Sequence, residues 1–236
     1  MMGLVVSCEH AGWALPPGVD LGVAPDVLRG QASWDLGALE VAARLGAALD
    51  RPVHAGTYSR MWVDLNRAPD HPDVIPRVSY GAPVPGNADL TPAQRAARLD
   101  RDHAPYWAAV TAEVDGLLAT RGACLHLSSH SFDPDLDPAN RQFDLGVLYD
   151  PDHAFEAALA EVLLAGLAAA GFAVRANQPY GGVGPALCTS LRAGRRDRRY
   201  AGIELETSYA VARADGGTAR VAAALAPLVA AALTRR

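Results

Sequence analysis

Short apolar runs alternate along the chain with longer stretches in which apolar residues recur every three or four positions. The short runs are rich in Val, Leu and Ile, as buried strands are, and the longer stretches have the period of amphipathic helices. The predicted strands are residues 3–8, 52–57, 61–65, 123–128, 144–149, 172–176 and 200–206, and the predicted helices are 34–50, 91–120, 152–170 and 216–234. This alternation predicts an α/β fold with a mixed, mostly parallel central sheet flanked by helices, in a single domain over residues 1–236.

Local signals refine the ends of these elements. Ser33 and Thr91 are predicted N-caps, and Pro92 suits a first helical turn. Pro105 should end or kink the third helix, because proline disrupts the hydrogen bonds of a helix interior. Residues 66–90 and 177–199 are rich in Gly, Pro and polar residues, and loops of that length in a small domain tend to carry function.

Composition excludes several classes of function. The net charge of −5 and pI of about 5.8 argue against a nucleic-acid partner. The three cysteines, at 8, 124 and 188, are too widely spaced for a disulfide framework or a CxxC metal site. No signal peptide and no membrane span is expected, since apolar stretches such as 158–174 are interrupted by Glu161 and Gly166. We therefore expect a cytoplasmic protein that does not bind membranes.

Polar residues stand at the ends of several predicted strands. Their positions are Glu9 and His10 after the first strand, Asp64, Asn66 and Arg67 around the end of the third, His130 and Ser131 after the central strand, and Glu204 and Glu206 on the last. In α/β sheets, reactive groups gather at the carboxyl ends of the strands. The pattern therefore predicts one site at this edge of the sheet.

Two histidines are candidate metal ligands. His10 and His130 each follow an apolar run and precede a small residue. A single such histidine is commonly a hydrogen-bonded imidazole without chemistry, but two from separate strands favour a zinc site, which takes imidazole and carboxylate ligands and keeps one position for water. Asp35 is a candidate third ligand, although the dipole of the predicted helix alone would account for an acidic residue in its first turn.

The stretch "YSRMWVDLNR" contains candidate substrate-binding residues. Arg60 and Arg67 flank the predicted strand, and the amide of Asn66 lies beside the second arginine. Such a group can receive a substrate carboxylate in bidentate fashion. The structural alternative is an arginine paired with Asp64. In the second long loop, Tyr180 can donate a hydrogen bond to substrate, or belong to a plain surface loop.

Two glutamates lie on the last predicted strand. Glu204 and Glu206 project to the same side, because side chains two residues apart on a strand share a face. Glu204 is the candidate general base beside a metal-activated water. The alternative is that one or both face solvent on an edge strand, which we favour for Glu206.

The segments "SCEHAGWALPPG", "WDLGA", "YSRMWVDLNRAPD", "SSHSF", "NQPYGG" and "GIELE" resemble, in order and spacing, those of N-formylglutamate amidohydrolases. The resemblance spans residues 5–209 and implies a fold like that of the zinc carboxypeptidases and phosphorylase/hydrolase-like proteins. It implies His10 and His130 as zinc ligands and Glu204 as the base. Asn66 and Arg67 would bind the substrate α-carboxylate, with Arg60 on a second carboxylate or the oxyanion.

The chain departs from the carboxypeptidase pattern at one ligand. Carboxypeptidases have a glutamate three residues after the first histidine, where this chain has Trp13. Asp35 is the first choice for the missing carboxylate and Glu9 the second. The resemblance implies a zinc-dependent hydrolase that converts N-formyl-L-glutamate, or another N-acylated acidic amino acid, to its acid and amine. The alternatives are a carboxypeptidase or peptidoglycan amidase on the same scaffold, and a metal-free binding protein without catalysis.

Overall fold

The computed structural model describes residues 1–234, and strands and helices alternate through most of that length. The strands are β1 (Gly3–Cys8), β2 (Val53–Ala55), β3 (Val78–Ser79), β4 (Ala82–Pro83), β5 (Ala123–Phe132), β6 (Leu145–Leu148), β7 (Val174–Ala176) and β8 (Arg199–Ser208). The helices are α1 (Pro25–Leu28), α2 (Ala38–Leu49), α3 (Pro92–Arg98), α4 (Ala104–Arg121), α5 (Ala154–Ala169), α6 (Leu187–Ala193), α7 (Tyr209–Arg213) and α8 (Gly217–Thr234).

A six-stranded sheet in the order β2-β1-β5-β8-β6-β7 forms the centre of the fold. The pairs β1–β2, β1–β5, β5–β8 and β6–β7 are parallel, and β6 runs antiparallel to β8. β3 and β4 form a separate two-stranded ribbon. The predicted fold class, a mixed and mostly parallel sheet flanked by helices, is confirmed.

Helices cover both faces of the sheet. On one face, α2, α5 and α8 pack over apolar residues of the strands such as Val6, Leu127 and Ile203. On the other, α4 and α6 pack over Val5 and Cys124. By length and composition α8 could cross a membrane, but one side of it is buried against α2 and α5, as in the core helix of a soluble protein.

The predicted strand at 61–65 is wrong. Residues 61–65 form turns, in which Trp62 N–H donates to the Ser59 carbonyl and Asp64 N–H to that of Val74. The apolar residues of this stretch are nevertheless buried, because they pack with Val74 and others in a cluster beneath the long loops. Burial under loops therefore produced the apolar pattern that we interpreted as a strand.

The helix predicted at 34–50 begins later than expected. Gly37 is its N-cap and α2 starts at Ala38, so Ser33 is not a cap and Asp35 precedes the helix. Gly37 adopts φ 77°, and a Cβ there would lie 2.9 Å from the Ala212 Cβ. The chain thus needs glycine at this turn. Because Asp35 precedes the helix, its side chain points towards His10 and His130.

The signals around the third helix are confirmed. The Thr91 side chain accepts from the Gln94 N–H in a capping box, and Pro92 occupies the first turn of α3. Residues Leu99–His103 are π-helical and lead into α4, whose first turn contains Pro105. The wider turn before Pro105 is the disruption predicted at that proline. All three cysteines are buried free thiols.

Candidate active site

The site lies on the sheet face that is covered by α4 and α6. Side chains alternate between faces along a strand, so Val5, Ser7 and Glu9 follow one another towards the carboxyl end of this face. β5 and β8 repeat the change from apolar to polar, and Glu204 and Glu206 lie beside Ser128 and His130 in the β5–β8 register. The predicted convergence of polar residues at this edge is therefore observed.

His10, Asp35 and His130 form a buried group of potential metal ligands. Asp35 Oδ2 lies 3.4 Å from His10 Nδ1 and 2.8 Å from His130 Nδ1, and the ligand atoms of the three residues are all within 4.8 Å of one another. Zinc binds imidazole nitrogen and carboxylate oxygen at about 2.0–2.2 Å. Donors of this kind at these separations can share one ion, so the residues fit the metal that the sequence predicts.

The other nitrogen of each imidazole contacts a second carboxylate. His10 Nε2 lies 2.7 Å from Asp64 Oδ1, and His130 Nε2 lies 3.1 Å from Glu9 Oε2. Carboxylates in this position orient ligating histidines and keep the proton on the nitrogen that faces away from the metal. Glu9, our second choice for the third ligand, is thus on the far side of the His130 ring, and Asp35 is on the near side.

The protonation state of each of these buried groups depends on the charges of its neighbours. Burial raises the pKa of Asp35, but Arg60 and the imidazoles outweigh burial and hold that pKa well below its usual range. Glu9 and Asp64 are likewise kept ionised by the histidines, against the effect of burial on their pKa. Burial lowers the pKa of His130, yet its bonds to Asp35 and Glu9 raise that pKa well above the ordinary value. The result is a buried set of anionic carboxylates around imidazoles, which attracts a cation.

The predicted substrate-binding residues line a cavity of about 260 Å³ together with the metal-ligand group. Arg60 forms a salt bridge with Asp35, not with Asp64 as the structural alternative required, and its Nε is buried without a partner among residues 1–234. Arg67 donates to the Pro185 carbonyl. Asn66 Oδ1 accepts from the Leu187 N–H at 2.8 Å, which fixes its amide.

Glu204 and Glu206 are both buried in this cavity, at 8% and 4% exposure. β8 lies between β5 and β6, so our preference for a solvent-facing Glu206 on an edge strand was wrong. Glu204 Oε2 is 4.0 Å from His130 Nε2, and burial raises the pKa of Glu204. Burial also raises the pKa of Glu206, to about 8, and its Oε2 has no hydrogen-bond partner among residues 1–234.

Tyrosines lie across the mouth of the cavity. The hydroxyl of Tyr180 is 3.1 Å from that of Tyr80, and Arg141 donates to Tyr180 at 3.4 Å. Sequence reasoning proposed Tyr180 but missed Tyr80 and Arg141, which come from loops without a distinctive motif. It also missed the contact of Asp64 with His10. The available signal was that Asp64 is the acidic residue of the "VDLNR" stretch, which had already been singled out.

Comparisons with known proteins identify relatives of this chain. A family model described as N-formylglutamate amidohydrolase matches residues 2–212. The crystal structure of gene product Atu2144 from Agrobacterium tumefaciens has a TM-score of 0.84 and 30% sequence identity, over 99% of this chain and 91% of that one. That of N-formylglutamate amidohydrolase from Ralstonia eutropha JMP134 has a TM-score of 0.75 and 22% identity, over 98% and 94%, and shares the fold. No curated protein sequence matches the chain.

The family model covers nearly the whole chain, including every strand of the central sheet and every residue of the cavity. The resemblance that the sequence motifs suggested is thereby confirmed. The chain belongs to the N-formylglutamate amidohydrolase family and is a hydrolase.

Proposed function

We propose that this protein is a zinc-dependent hydrolase of N-acylated acidic amino acids, which converts N-formyl-L-glutamate to formate and L-glutamate. The observation that carries the proposal is the buried trio of His10, Asp35 and His130, whose ligand atoms lie within 4.8 Å of one another beside a cavity. The family supports amide hydrolysis, and the donor set supports zinc as the cofactor.

A bound zinc ion supplies Lewis acidity and lowers the pKa of water at the site. Glu204 accepts a proton from the attacking water and returns it to the amine that leaves. Burial raises the pKa of the Glu204 carboxyl above its ordinary value, which makes its carboxylate a stronger base. Arg60 lines the cavity beside Asp35 and stabilises the negative charge that develops on the carbonyl oxygen.

Asn66 and Arg67 bind the α-carboxylate of the substrate. The Asn66 side chain is oriented by the Leu187 N–H, and Arg67 has no carboxylate partner within residues 1–234. Tyr180 closes the mouth of the cavity and donates to the bound substrate. A volume of about 260 Å³ suits a small acyl group on an amino acid and favours such a substrate over the longer acyl-peptides of a carboxypeptidase or peptidoglycan amidase.

A substrate panel tests this function. N-formyl, N-acetyl and N-succinyl derivatives of glutamate, aspartate and leucine are assayed for release of the acid, with and without a zinc chelator. We expect fastest turnover of N-formyl-L-glutamate, loss of activity with chelator and recovery with zinc. Chelator-resistant activity would contradict the role of zinc, and preference for the leucine derivatives would contradict the acidic substrate.

Metal analysis separates the enzyme from a metal-free binding protein. After zinc loading, the purified chain should retain about one ion, and a variant with His10→Ala and His130→Ala should retain none. If the unsubstituted chain holds no zinc and turns over none of the panel, it is a binding protein and the proposed function is wrong.

A further inference from the structure

The mouth of the cavity holds two arginine–tyrosine pairs that meet at their hydroxyls. Arg60 donates to the Tyr80 hydroxyl at 3.5 Å, and its guanidinium carbon lies 5.4 Å from the centre of that ring. Arg141 is related to Tyr180 in the same way, at 3.4 Å from the hydroxyl and 5.0 Å from the ring centre. The two hydroxyls are 3.1 Å apart, and both tyrosines line the cavity. The two pairs therefore form one set of hydrogen-bond donors at the mouth.

One hydroxyl proton of this set has no acceptor. A tyrosine hydroxyl carries a single proton and can also accept hydrogen bonds. Both oxygens accept from an arginine and one hydroxyl donates to the other, so the second hydroxyl proton has no acceptor within residues 1–234. Burial raises the pKa of Tyr180, so its hydroxyl stays protonated at neutral pH. The mouth thus offers a free donor to a ligand that accepts hydrogen bonds.

Arg141 differs from Arg60 because it has no carboxylate partner. The charge of Arg60 is offset by its salt bridge with Asp35. The half-buried Arg141 forms no ion pair within residues 1–234, and the tyrosine beside it accepts from only one of its five N–H donors. Asp137, whose carbonyl accepts from the Arg141 backbone N–H, uses its carboxylate to accept from the side chain of Asn140. The charge of Arg141 is therefore available to a ligand.

We propose that Arg141 and the two tyrosine hydroxyls bind the side-chain carboxylate of the substrate, and that they thereby select acidic amino acids. This role rests on the proposed function, in which Asn66 and Arg67 hold the α-carboxylate and the second carboxylate has no anchor of its own. A carboxylate pairs with a guanidinium and accepts from hydroxyls, and such charge-assisted hydrogen bonds are the strong ones.

The two unpaired arginines reach the border of the cavity at separate points. Arg67 donates to the carbonyl of Pro185 and Arg141 to the hydroxyl of Tyr180, and both of these acceptors belong to the loop that lines the cavity. A dicarboxylate can pair with both cations, whereas a neutral side chain leaves Arg141 and the free hydroxyl without a partner. A site built to hydrogen-bond a substrate group rejects an analogue that lacks the group.

The test compares substrates that differ at one carboxylate. N-formyl-L-glutamine has an amide in place of the side-chain carboxylate, and N-formyl-L-isoglutamine has an amide in place of the α-carboxylate. The kcat/KM of N-formyl-L-glutamate relative to each of them is measured for the wild type, Arg141→Met and Arg141→Lys. Misfolding or partial loss of zinc cancels in these ratios, so a merely structural role of Arg141 would leave both unchanged.

We expect the glutamate-to-glutamine ratio to fall about 10-fold or more in Arg141→Met, the effect of losing a hydrogen bond between charged groups. It should fall less in Arg141→Lys, which keeps the charge without the planar fork of donors. The glutamate-to-isoglutamine ratio should stay within about threefold of wild type. Arg121→Met is the matched control, because Arg121 is exposed at the end of α4, before the amino end of β5, whereas His130 lies towards the carboxyl end of that strand.

Two results overturn this assignment of Arg141. The first is a glutamate-to-glutamine ratio within threefold of wild type in Arg141→Met, even where all three substrates are hydrolysed slowly. The second is a fall in the glutamate-to-isoglutamine ratio that equals or exceeds the fall in the glutamate-to-glutamine ratio, because Arg141 would then hold the α-carboxylate.

A binding measurement keeps these outcomes separate from the proposed function. If the wild type hydrolyses none of the three compounds, the proposed function has failed, and calorimetry with L-glutamate and with L-glutamine decides the role of Arg141. Tighter binding of L-glutamate in the wild type, with the difference abolished in Arg141→Met, supports Arg141 as the anchor of the side-chain carboxylate. Equal binding of the two compounds, or binding of neither, overturns it.

Discussion

Asp64 should control zinc affinity without touching the ion. Its Oδ1 lies 2.7 Å from His10 Nε2, and both side chains are buried. The contact keeps the imidazole proton on Nε2, which leaves Nδ1 free to bind a metal beside Asp35. Replacing Asp64 with Asn keeps the size of the side chain and removes the charge, so we expect zinc to bind about 10- to 100-fold more weakly.

The magnitude follows from two losses at one hydrogen bond. A buried bond to a charged partner contributes about 1.5–3 kcal/mol and a neutral one about 0.5–1.5 kcal/mol. In addition, the amide of Asn can donate to His10 Nε2, which favours the proton on Nδ1, the nitrogen that the metal needs. The change from a charged to a neutral bond accounts for about 1–1.5 kcal/mol, and the tautomer shift adds to it. A 10- to 100-fold weaker affinity corresponds to about 1.4–2.7 kcal/mol in total.

Competition with a chromophoric chelator measures the zinc Kd of the wild type and of Asp64→Asn. Asp73, exposed in the same loop, provides the matched control, and Asp73→Asn should bind zinc like the wild type. Circular dichroism and thermal unfolding of the metal-free proteins report whether the fold is kept. A folded Asp64→Asn protein whose Kd lies within threefold of wild type would refute the reasoning about His10.

Three further predictions concern catalysis, binding and stability. Glu204→Gln should lower kcat about 10²- to 10⁴-fold while metal analysis still finds zinc; near-wild-type kcat would move the base role elsewhere. Arg67→Met should raise KM for N-formyl-L-glutamate about 10-fold or more, with a smaller change in kcat; an unchanged KM would exclude it as the carboxylate anchor. Because burial lowers the pKa of His126 to about 4, the unfolded chain takes up a proton near pH 6.5 that the folded chain does not, so stability falls from pH 6.5 towards 4. Between pH 7 and pH 5, the free energy of unfolding measured in urea should fall by about 2 kcal/mol more in the wild type than in His126→Gln. An equal fall in the two proteins would show that folding does not shift the pKa of His126.

The sequence predicted the strands of the central sheet well, but it also predicted a strand at residues 61–65, which form turns. Most predicted strands agree with the structure within a few residues, because the four inner strands of the sheet, β1, β5, β8 and β6, contain short apolar runs that are buried in the centre of the fold. The run at 61–65 looks the same in sequence but packs under loops, where no partner strand is available. An apolar pattern records burial, and only neighbours that are distant in sequence decide whether a buried segment joins a sheet.

The sequence singled out residues that the structure brings together in one cavity, but it did not predict the local backbone structure that places them there. Asp35 was chosen as lying in a helical turn, yet it reaches the two imidazoles because Gly37 delays the start of α2. Glu206 was expected to face solvent on an edge strand, whereas β8 lies between β5 and β6. The turn at Gly37 positions Asp35, and the order of the strands positions Glu206. Neither feature can be inferred from Asp35 or Glu206 alone.

One face of the sheet serves both as core and as site, and alternation along the strands makes this possible. Towards the amino ends of β1 and β5, Val5 and Cys124 pack beneath α4 and α6. Towards the carboxyl ends, the same face bears Glu9 and His130, which are equally buried. Burying charges in this way costs stability unless each has a partner, and here each imidazole contacts carboxylates at both nitrogens. The carboxylates that hold the rings thus also offset the cost of burying them.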